Sequence, residues 1–367
     1  MADPIEIHVK KGIDYEIVLE NDFSLLNEKF SSLNLGAGKI CIVTDSQVAP
    51  IYLEEVKKEF DQPDRDVLSY VFPCGENSKN LNTFQEVYEF LIQNRFSRND
   101  CLIALGGGVV GDLTGYVAAT YLRGISFIQV PTTLLAMVDS SIGGKTGVDF
   151  KGYKNMIGAF HMPRLVYINI KTIETLEERQ FYSGFAEAMK SALIKDAIFY
   201  EWLIDNMYEI CDRDPDVCSE LVLRSLAVKK MIVEKDPYEN GDRMLLNLGH
   251  TIGHAIEKYK NFQLLHGECV ALGCVAAAFI SYKKEMLSME EYYEIRDMFV
   301  PFCLPISIED IDENRILEYT KSDKKMENSH IRFILLKKIG RAVIDETVTD
   351  EEIINAVKEI TYTDEME

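Results

Sequence analysis

The sequence is short of basic charge: 39 Lys and Arg stand against 60 Asp and Glu, a formal net charge of −21. Nucleic acids and anionic membrane surfaces need a basic face, so this balance argues against both as partners. Also missing is any CxxC pair among the eight cysteines, and several, such as Cys41 in KICIVTD and Cys101 in DCLIALGGG, lie in apolar runs. That is how small core residues are used in a reducing compartment, and it excludes a disulfide framework. No apolar run reaches membrane-spanning length, and MADPIEIHVKKGIDYEI holds no hydrophobic targeting core, so the expected location is the cytoplasm. Internal repeats and low-complexity linkers are absent too.

What is present fits an ordinary globular protein, with 47% hydrophobic and 27% charged residues. A chain of 367 residues exceeds one typical core, which predicts two domains. In the first half, short β-rich runs (KICIVTD at 39–45, LSYVFPCGE at 68–76, CLIALGGG at 101–108, ISFIQVPTT at 125–133, LVYINI at 165–170) alternate with helical patterns. Such alternation predicts parallel βαβ units, an α/β domain with helices on both faces of the sheet. After about residue 178 helical patterns take over, roughly at 180–210, 215–235, 243–260, 266–285 and 289–299, with one late strand pair near 331–348. The expected division is residues 1–178, an α/β nucleotide-type domain, and 179–367, a mostly helical domain.

Histidine is scarce, six in all, yet three fall close together: His250, His254 and His266. Arg243, Asn247, His250 and His254 are spaced i, i+4, i+7 and i+11, one face of a single predicted helix. Leu245, Leu246, Leu248, Ile252 and Ile256 make that helix apolar elsewhere, and Gly249 and Gly253 suit a close backbone approach. A solvated face is the bland alternative, but a buried helix must pair such groups, since an unsatisfied one costs about 1–3 kcal/mol. Upstream, GFAEAMKSALIKD puts Glu187 and Lys190 on an apolar helix, making Glu187 the natural third ligand beside two of the histidines. Two imidazoles and one carboxylate form a Zn²⁺ site with open positions, the catalytic arrangement; from spacing alone either His250 or His254 serves.

Three further segments carry polar groups. GGGVVGDLTG (106–115) follows a buried strand and opens a helix, a junction where backbone N–H groups can approach a pyrophosphate, though its spacing is not the GxGxxG fingerprint. Asp45 ends a strand, where it suits either a ribose hydroxyl or a helix N-cap. The stretch 130–160 offers Lys145, Lys154 and Asn155 in a glycine-rich setting.

Together the strings GGGVVGDLTGYVAATYLRG, VPTTLLAMVDSSIGGKTGVD, KNMIGAFHMP, GFAEAMKSALIKD, LAVKKMIVEKDPYENGDRMLLNLGHTIGHAIE, HGECVALG and SDKK resemble the 3-dehydroquinate synthase family, of the sugar-phosphate cyclase superfamily. The resemblance runs from about residue 100 to 325. It implies an N-terminal NAD-binding α/β domain and a helical C-terminal metal and substrate domain. Metal ligands would be Glu187, His250 and His266, holding Zn²⁺ or Co²⁺, while His254 would contact substrate phosphate. Around NAD it implies Asp45, Glu76, Lys79, Gly107, Gly108, Asp112, Thr132, Thr133, Asp139, Lys145, Lys154 and Thr175. Catalytic roles would fall to Lys145, Lys190, Arg243, Asn247 and His254, with Arg123, Lys154, Asn155, Lys229 and Lys324 or Lys325 binding substrate.

The implied reaction turns 3-deoxy-D-arabino-heptulosonate 7-phosphate into 3-dehydroquinate and phosphate, a lyase step of the shikimate pathway to aromatic amino acids. It combines transient oxidation by NAD, phosphate elimination, re-reduction and intramolecular aldol closure. A homodimer is implied as well, with Arg123 reaching a neighbouring subunit's phosphate site. Two departures stand out: VDFKGYKN replaces the Asn-His-Pro type of loop found in many relatives, and Asp149 gives GVD where GVN is usual. Competing readings are a cyclase acting on a substrate without a carboxylate, a polyol dehydrogenase that releases NADH, and a silent NAD-binding subunit.

Overall fold

The computed structural model describes residues 3–9, 12–63, 65–322 and 332–362. The chain forms two compact units, residues 1–176 and 177–367.

In the first unit, the sheet strands are β1 (Ile5–Ile7), β2 (Tyr15–Glu20), β3 (Lys39–Asp45), β4 (Asp66–Phe72), β5 (Cys101–Gly106) and β6 (Ser126–Pro131). A hairpin of β7 (Lys145–Phe150) and β8 (Tyr153–Phe160) follows, then the sheet's last strand, β9 (Leu165–Asn169). The seven-stranded sheet runs β1-β2-β9-β6-β5-β3-β4, and only β1 pairs antiparallel. Continuous apolar sequence in the central strands follows from burial on both faces. Ile40 and Ile42 of β3 pack with Phe30 and Phe60 on one face, while Cys41 and Val43 pack with Val110 and Leu113 on the other. From β3 the chain moves outward to β4, then returns to β5 and continues the other way to β6 and β9. The order therefore reverses between β3 and β5, the crevice where open α/β sheets receive ligands.

The β7–β8 hairpin was not expected from sequence. Its strands include Gly147 and Gly158, whose glycine content hides the strand signal. The pairing needs both: a Cβ on Gly158 would lie 2.2 Å from the Thr146 carbonyl oxygen, and one on Gly147 would lie 2.7 Å from that of Ile157.

Helices build most of the second unit: Glu178–Lys195, Ala197–Asp205, Pro215–Lys235, His250–Tyr259 and His266–Lys283 carry its core. The expected late strand pair is present as Phe333–Lys338 with Arg341–Asp345, and it is antiparallel. The predicted single helix over 243–260 is corrected. Asp242–Asn247 is a 3-10 turn, and the α-helix begins only at His250. Leu248 (ψ 130°) and Gly249 (φ +77°) leave the right-handed helical region and break the run. Glycine is required there: a Cβ on Gly249 would meet Cys274 Sγ and the Val270 carbonyl oxygen at 2.8 Å. The four-residue face at i to i+11 therefore does not exist as one helix face.

Candidate metal and nucleotide sites

Glu187 and Lys190 lie on the Glu178–Lys195 helix, each 1% exposed, with Lys190 Nζ against Glu187 Oε2. Glu187 Oε1 faces His266 Nε2 at 3.3 Å and His250 Nε2 at 3.7 Å. The rings of His250, His254 and His266 gather with centroids 5.0, 5.3 and 5.8 Å apart. His250 Nδ1 lies 3.0 Å from the Leu248 carbonyl oxygen. A carbonyl can only accept, so Nδ1 carries the proton and Nε2 turns a lone pair towards Glu187. Burial, aided by the Lys190 charge, holds His250 well below the usual imidazole range, so it stays neutral. For Glu187 burial pushes upward, but the Lys190 charge leads the effects that outweigh it and hold the carboxyl well below its usual range.

This set fits a divalent ion. Both Glu187 oxygens are buried and lack a hydrogen bond of regular geometry despite the ion pair. A buried carboxylate in that state is costly unless a cation completes it. Donor atoms of Glu187, His250 and His266 lie within 4.8 Å of one another, and an N₂O set suits Zn²⁺ or Co²⁺. His254, Glu257 and His266 also bring donor atoms within 4.8 Å of one another.

HGE at 266–268 has a local explanation that sequence reading missed. A Cβ on Gly267 would lie 1.9 Å from the Ser183 carbonyl oxygen, so two helix backbones touch beside His266. Gly267 N donates to Ser183 Oγ at 3.0 Å. Glu268 accepts from Leu265 N at 2.7 Å and from Arg179 Nε at 2.6 Å, which fixes the helix start. Nearby, Asp236 accepts the backbone N–H of Asn240, Gly241 and Arg243 at 2.9, 2.7 and 3.1 Å. That turn sets Arg243, 1% exposed, whose Nη1 donates to the Pro237 carbonyl. Asn247 Nδ2 donates to Glu239 at 3.0 Å, and Lys229 is 4% exposed on the Pro215–Lys235 helix.

In the first unit the nucleotide candidates collect at the carboxyl ends of parallel strands. Asp45 ends β3, Glu76 follows β4, Gly107 and Gly108 follow β5, Thr132 and Thr133 follow β6, and Thr175 follows β9. Gly107 starts the Gly108–Thr120 helix without a side-chain cap, so its first N–H groups remain directed outward. Asp45 acts as a local cap: Oδ1 accepts from Gln47 N at 2.8 Å and Val48 N at 2.9 Å. Thr175 Oγ1 lies 2.5 Å from the Tyr52 hydroxyl.

A second charged cluster joins residues assigned separately to NAD and substrate. Buried Lys79 pairs with Asp112 at 2.7 Å and donates to Asn155 Oδ1 at 2.6 Å, and Lys154 pairs with Glu76 at 3.2 Å. Burial opposes the Lys79 charge, but Asp112 and Glu76 more than offset it and hold the ammonium above the usual lysine range. Asp149 is the residue missed here, although its departure from GVN was the signal. Its Oδ1 accepts from Asn155 N at 2.9 Å and thereby supports Asn155 at φ +53°. Lys145 and Arg123 are exposed, and Asp139 sits in the Ala136–Ser140 turn. Lys324 and Lys325 lie outside the described residues.

Comparison with known proteins follows the same division. The 3-dehydroquinate synthase N-terminal family matches residues 69–183 and the 3-dehydroquinate synthase C-terminal family residues 184–326. A 3-dehydroquinate synthase of Acetivibrio thermocellus is 43% identical over 343 residues, 94% of this chain and 95% of the relative. The chain belongs to the 3-dehydroquinate synthase family.

Another 3-dehydroquinate synthase, from Acidithiobacillus ferrooxidans, is 46% identical over 311 residues, 84% of this chain and 85% of the relative. Among solved structures, a 2-epi-5-epi-valiolone synthase of Streptomyces hygroscopicus subsp. jinggangensis 5008, with NAD⁺ and Zn²⁺ bound, superposes with a TM-score of 0.89. It is 26% identical and covers 96% of this chain and 98% of that one. Thus the fold is shared with a cyclase of the competing kind, while the higher identities lie with the 3-dehydroquinate synthases.

Proposed function

We propose that this chain converts 3-deoxy-D-arabino-heptulosonate 7-phosphate to 3-dehydroquinate and phosphate, as an NAD- and metal-dependent lyase. The observation that carries the reading is Glu187 buried against His250, His266 and Lys190, with Arg243 and Lys229 buried in the same unit. Cations that well enclosed in an acidic protein suit a substrate bearing both a carboxylate and a phosphate. When bound, NAD supplies a reversible hydride acceptor and the metal a Lewis acid.

Glu187, His250 and His266 are proposed to hold the ion. Lys190, Arg243, Asn247 and His254 are proposed to bind and orient the reacting sugar, with Lys229 on its anionic groups. Holding one conformer through several steps is mainly a positioning task, which favours side chains fixed by burial. Arg123, Lys145, Lys154 and Asn155 of the first unit, and Lys324 or Lys325, keep their proposed substrate roles from the family resemblance. Asp45, Glu76, Lys79, Gly107, Gly108, Asp112, Thr132, Thr133, Asp139 and Thr175, together with Lys145 and Lys154, are proposed to surround NAD. A homodimer acting in the cytoplasm, with domains 1–178 and 179–367, completes the proposal.

The test is phosphate release from the heptulosonate phosphate, with and without NAD⁺ and a chelator, while NADH absorbance is followed. Release that needs both NAD⁺ and metal, forms dehydroquinate and leaves no net NADH is expected. Accumulating NADH would indicate a dehydrogenase, and turnover only of sugar phosphates lacking the carboxylate would indicate a different cyclase.

A further inference from the structure

We propose that Glu257 is a positioning residue of the metal centre, its carboxylate orienting the imidazole of His266 and, through the same contact, that of His254. This rests on the reading of Glu187, His250 and His266 as ligands, and adds a residue outside that set.

Glu257 lies three positions after His254 on the His250–Tyr259 helix, so the two side chains share a face. It is only 2% exposed. One donor atom each from His254, Glu257 and His266 lies within 4.8 Å of the other two. A carboxylate is rarely so buried without a cation or N–H donors beside it. Here His254 and His266 each bring an imidazole nitrogen within 4.8 Å of the Glu257 carboxylate.

His266 has two ring nitrogens, and Nε2 faces Glu187 Oε1 at 3.3 Å. A ligand nitrogen at Nε2 requires the proton on Nδ1, and an acceptor there fixes the tautomer and raises the basicity of the ligand. For His250 the Leu248 carbonyl does this. Glu257 is the corresponding acceptor for His266. The same three residues could instead form a second cation position. That arrangement would put His266 on two ions at once and strip both protons from one imidazole, so the positioning role is the better account.

Metal-free full-length protein titrated with Co²⁺ provides the test, read by competition with a chromogenic chelator and by the visible Co²⁺ absorption bands. Wild type is expected to bind one Co²⁺ per chain. Glu257→Gln should weaken that binding by roughly 10–100-fold and alter the bands, with Glu257→Asp recovering part of the loss. The thermal midpoint of the metal-free variants should stay close to wild type. Should Glu257→Gln not fold, Glu257→Asp decides, through a changed spectrum at near-normal stability. Unchanged affinity and spectrum in the folded variant would overturn the proposal. So would two Co²⁺ per wild-type chain with the second lost in Glu257→Gln. Failure of the underlying metal reading shows itself differently, as undiminished Co²⁺ binding by Glu187→Gln.

Discussion

The two units build their candidate sites by different means. In the first, the groups offered to a nucleotide are backbone N–H groups and short side chains at strand ends, placed by β-strand order and by glycines. Its charged side chains are already matched to each other, as in Lys79–Asp112 and Lys154–Glu76. The second unit relies on long charged side chains sunk into helix packing: Glu187, Lys190 and Arg243 are each 1% exposed. A site made by topology survives the loss of one side chain. A site made by buried charge does not, because each remaining partner is left uncompensated.

The sharpest way to break this contrast is Glu187→Gln. Loss of the ligand carboxylate should lower kcat by on the order of 10²–10³ or more, and metal-loaded turnover measures it. A loss of less than tenfold would remove Glu187 from the centre. Next in size, Lys190→Met strands the Glu187 carboxylate, and breaking such a buried pair costs roughly 3–5 kcal/mol. Urea unfolding of the metal-free protein should show this, and added Zn²⁺ should restore part of it.

A glycine pair then compares the units directly. Gly267→Ala forces a Cβ to within 1.9 Å of the Ser183 carbonyl oxygen, so it should destabilise by about 1–3 kcal/mol and weaken metal binding. Gly107→Ala meets nothing nearer than Thr133 Cγ2 at 3.0 Å, so the fold should stand while the Kd for NAD⁺ rises about tenfold. Calorimetric titration and thermal melts of both variants separate the two effects; equal loss of stability in both would erase the distinction. Smallest of all is the response of the thiols. Burial pushes Cys41 and Cys218 up to about 12, whereas Cys74 and Cys303 are exposed. An aromatic disulfide reagent should label the latter pair in the native protein and reach the buried thiols only on unfolding, as peptide mass mapping would show.

The same contrast governs what could be read in advance. Strand and helix alternation was legible because period and burial write themselves into local apolar pattern. The β7–β8 hairpin was not, since Gly147 and Gly158 are chosen for cross-strand contact and carry no strand preference. Glu187, Lys190 and the three histidines were visible as polar groups in apolar surroundings. Their register was misread, because one glycine at φ +77° divides what spacing suggested was a single helix. Ser183 and Glu257 were invisible for another reason: each lies by a partner distant in sequence, Gly267 and His266, and no local pattern encodes that, while Glu268 marks a helix start that has Leu265 where Ser, Thr, Asp or Asn is usual. The exposed Cys74 and Cys303 likewise stand outside the reading of the cysteines as core residues.

Gly249 and Gly273 have a wider consequence. A Cβ on Gly273 would sit 1.8 Å from the Gly249 carbonyl oxygen, and one on Gly253 would sit 2.6 Å from that of Cys269. The chain bearing His250 thus lies main chain to main chain along the helix that His266 begins. The spacing between the two imidazoles is inherited from a backbone contact. A side chain added at any of these glycines would therefore separate His250 from His266 without touching either ring.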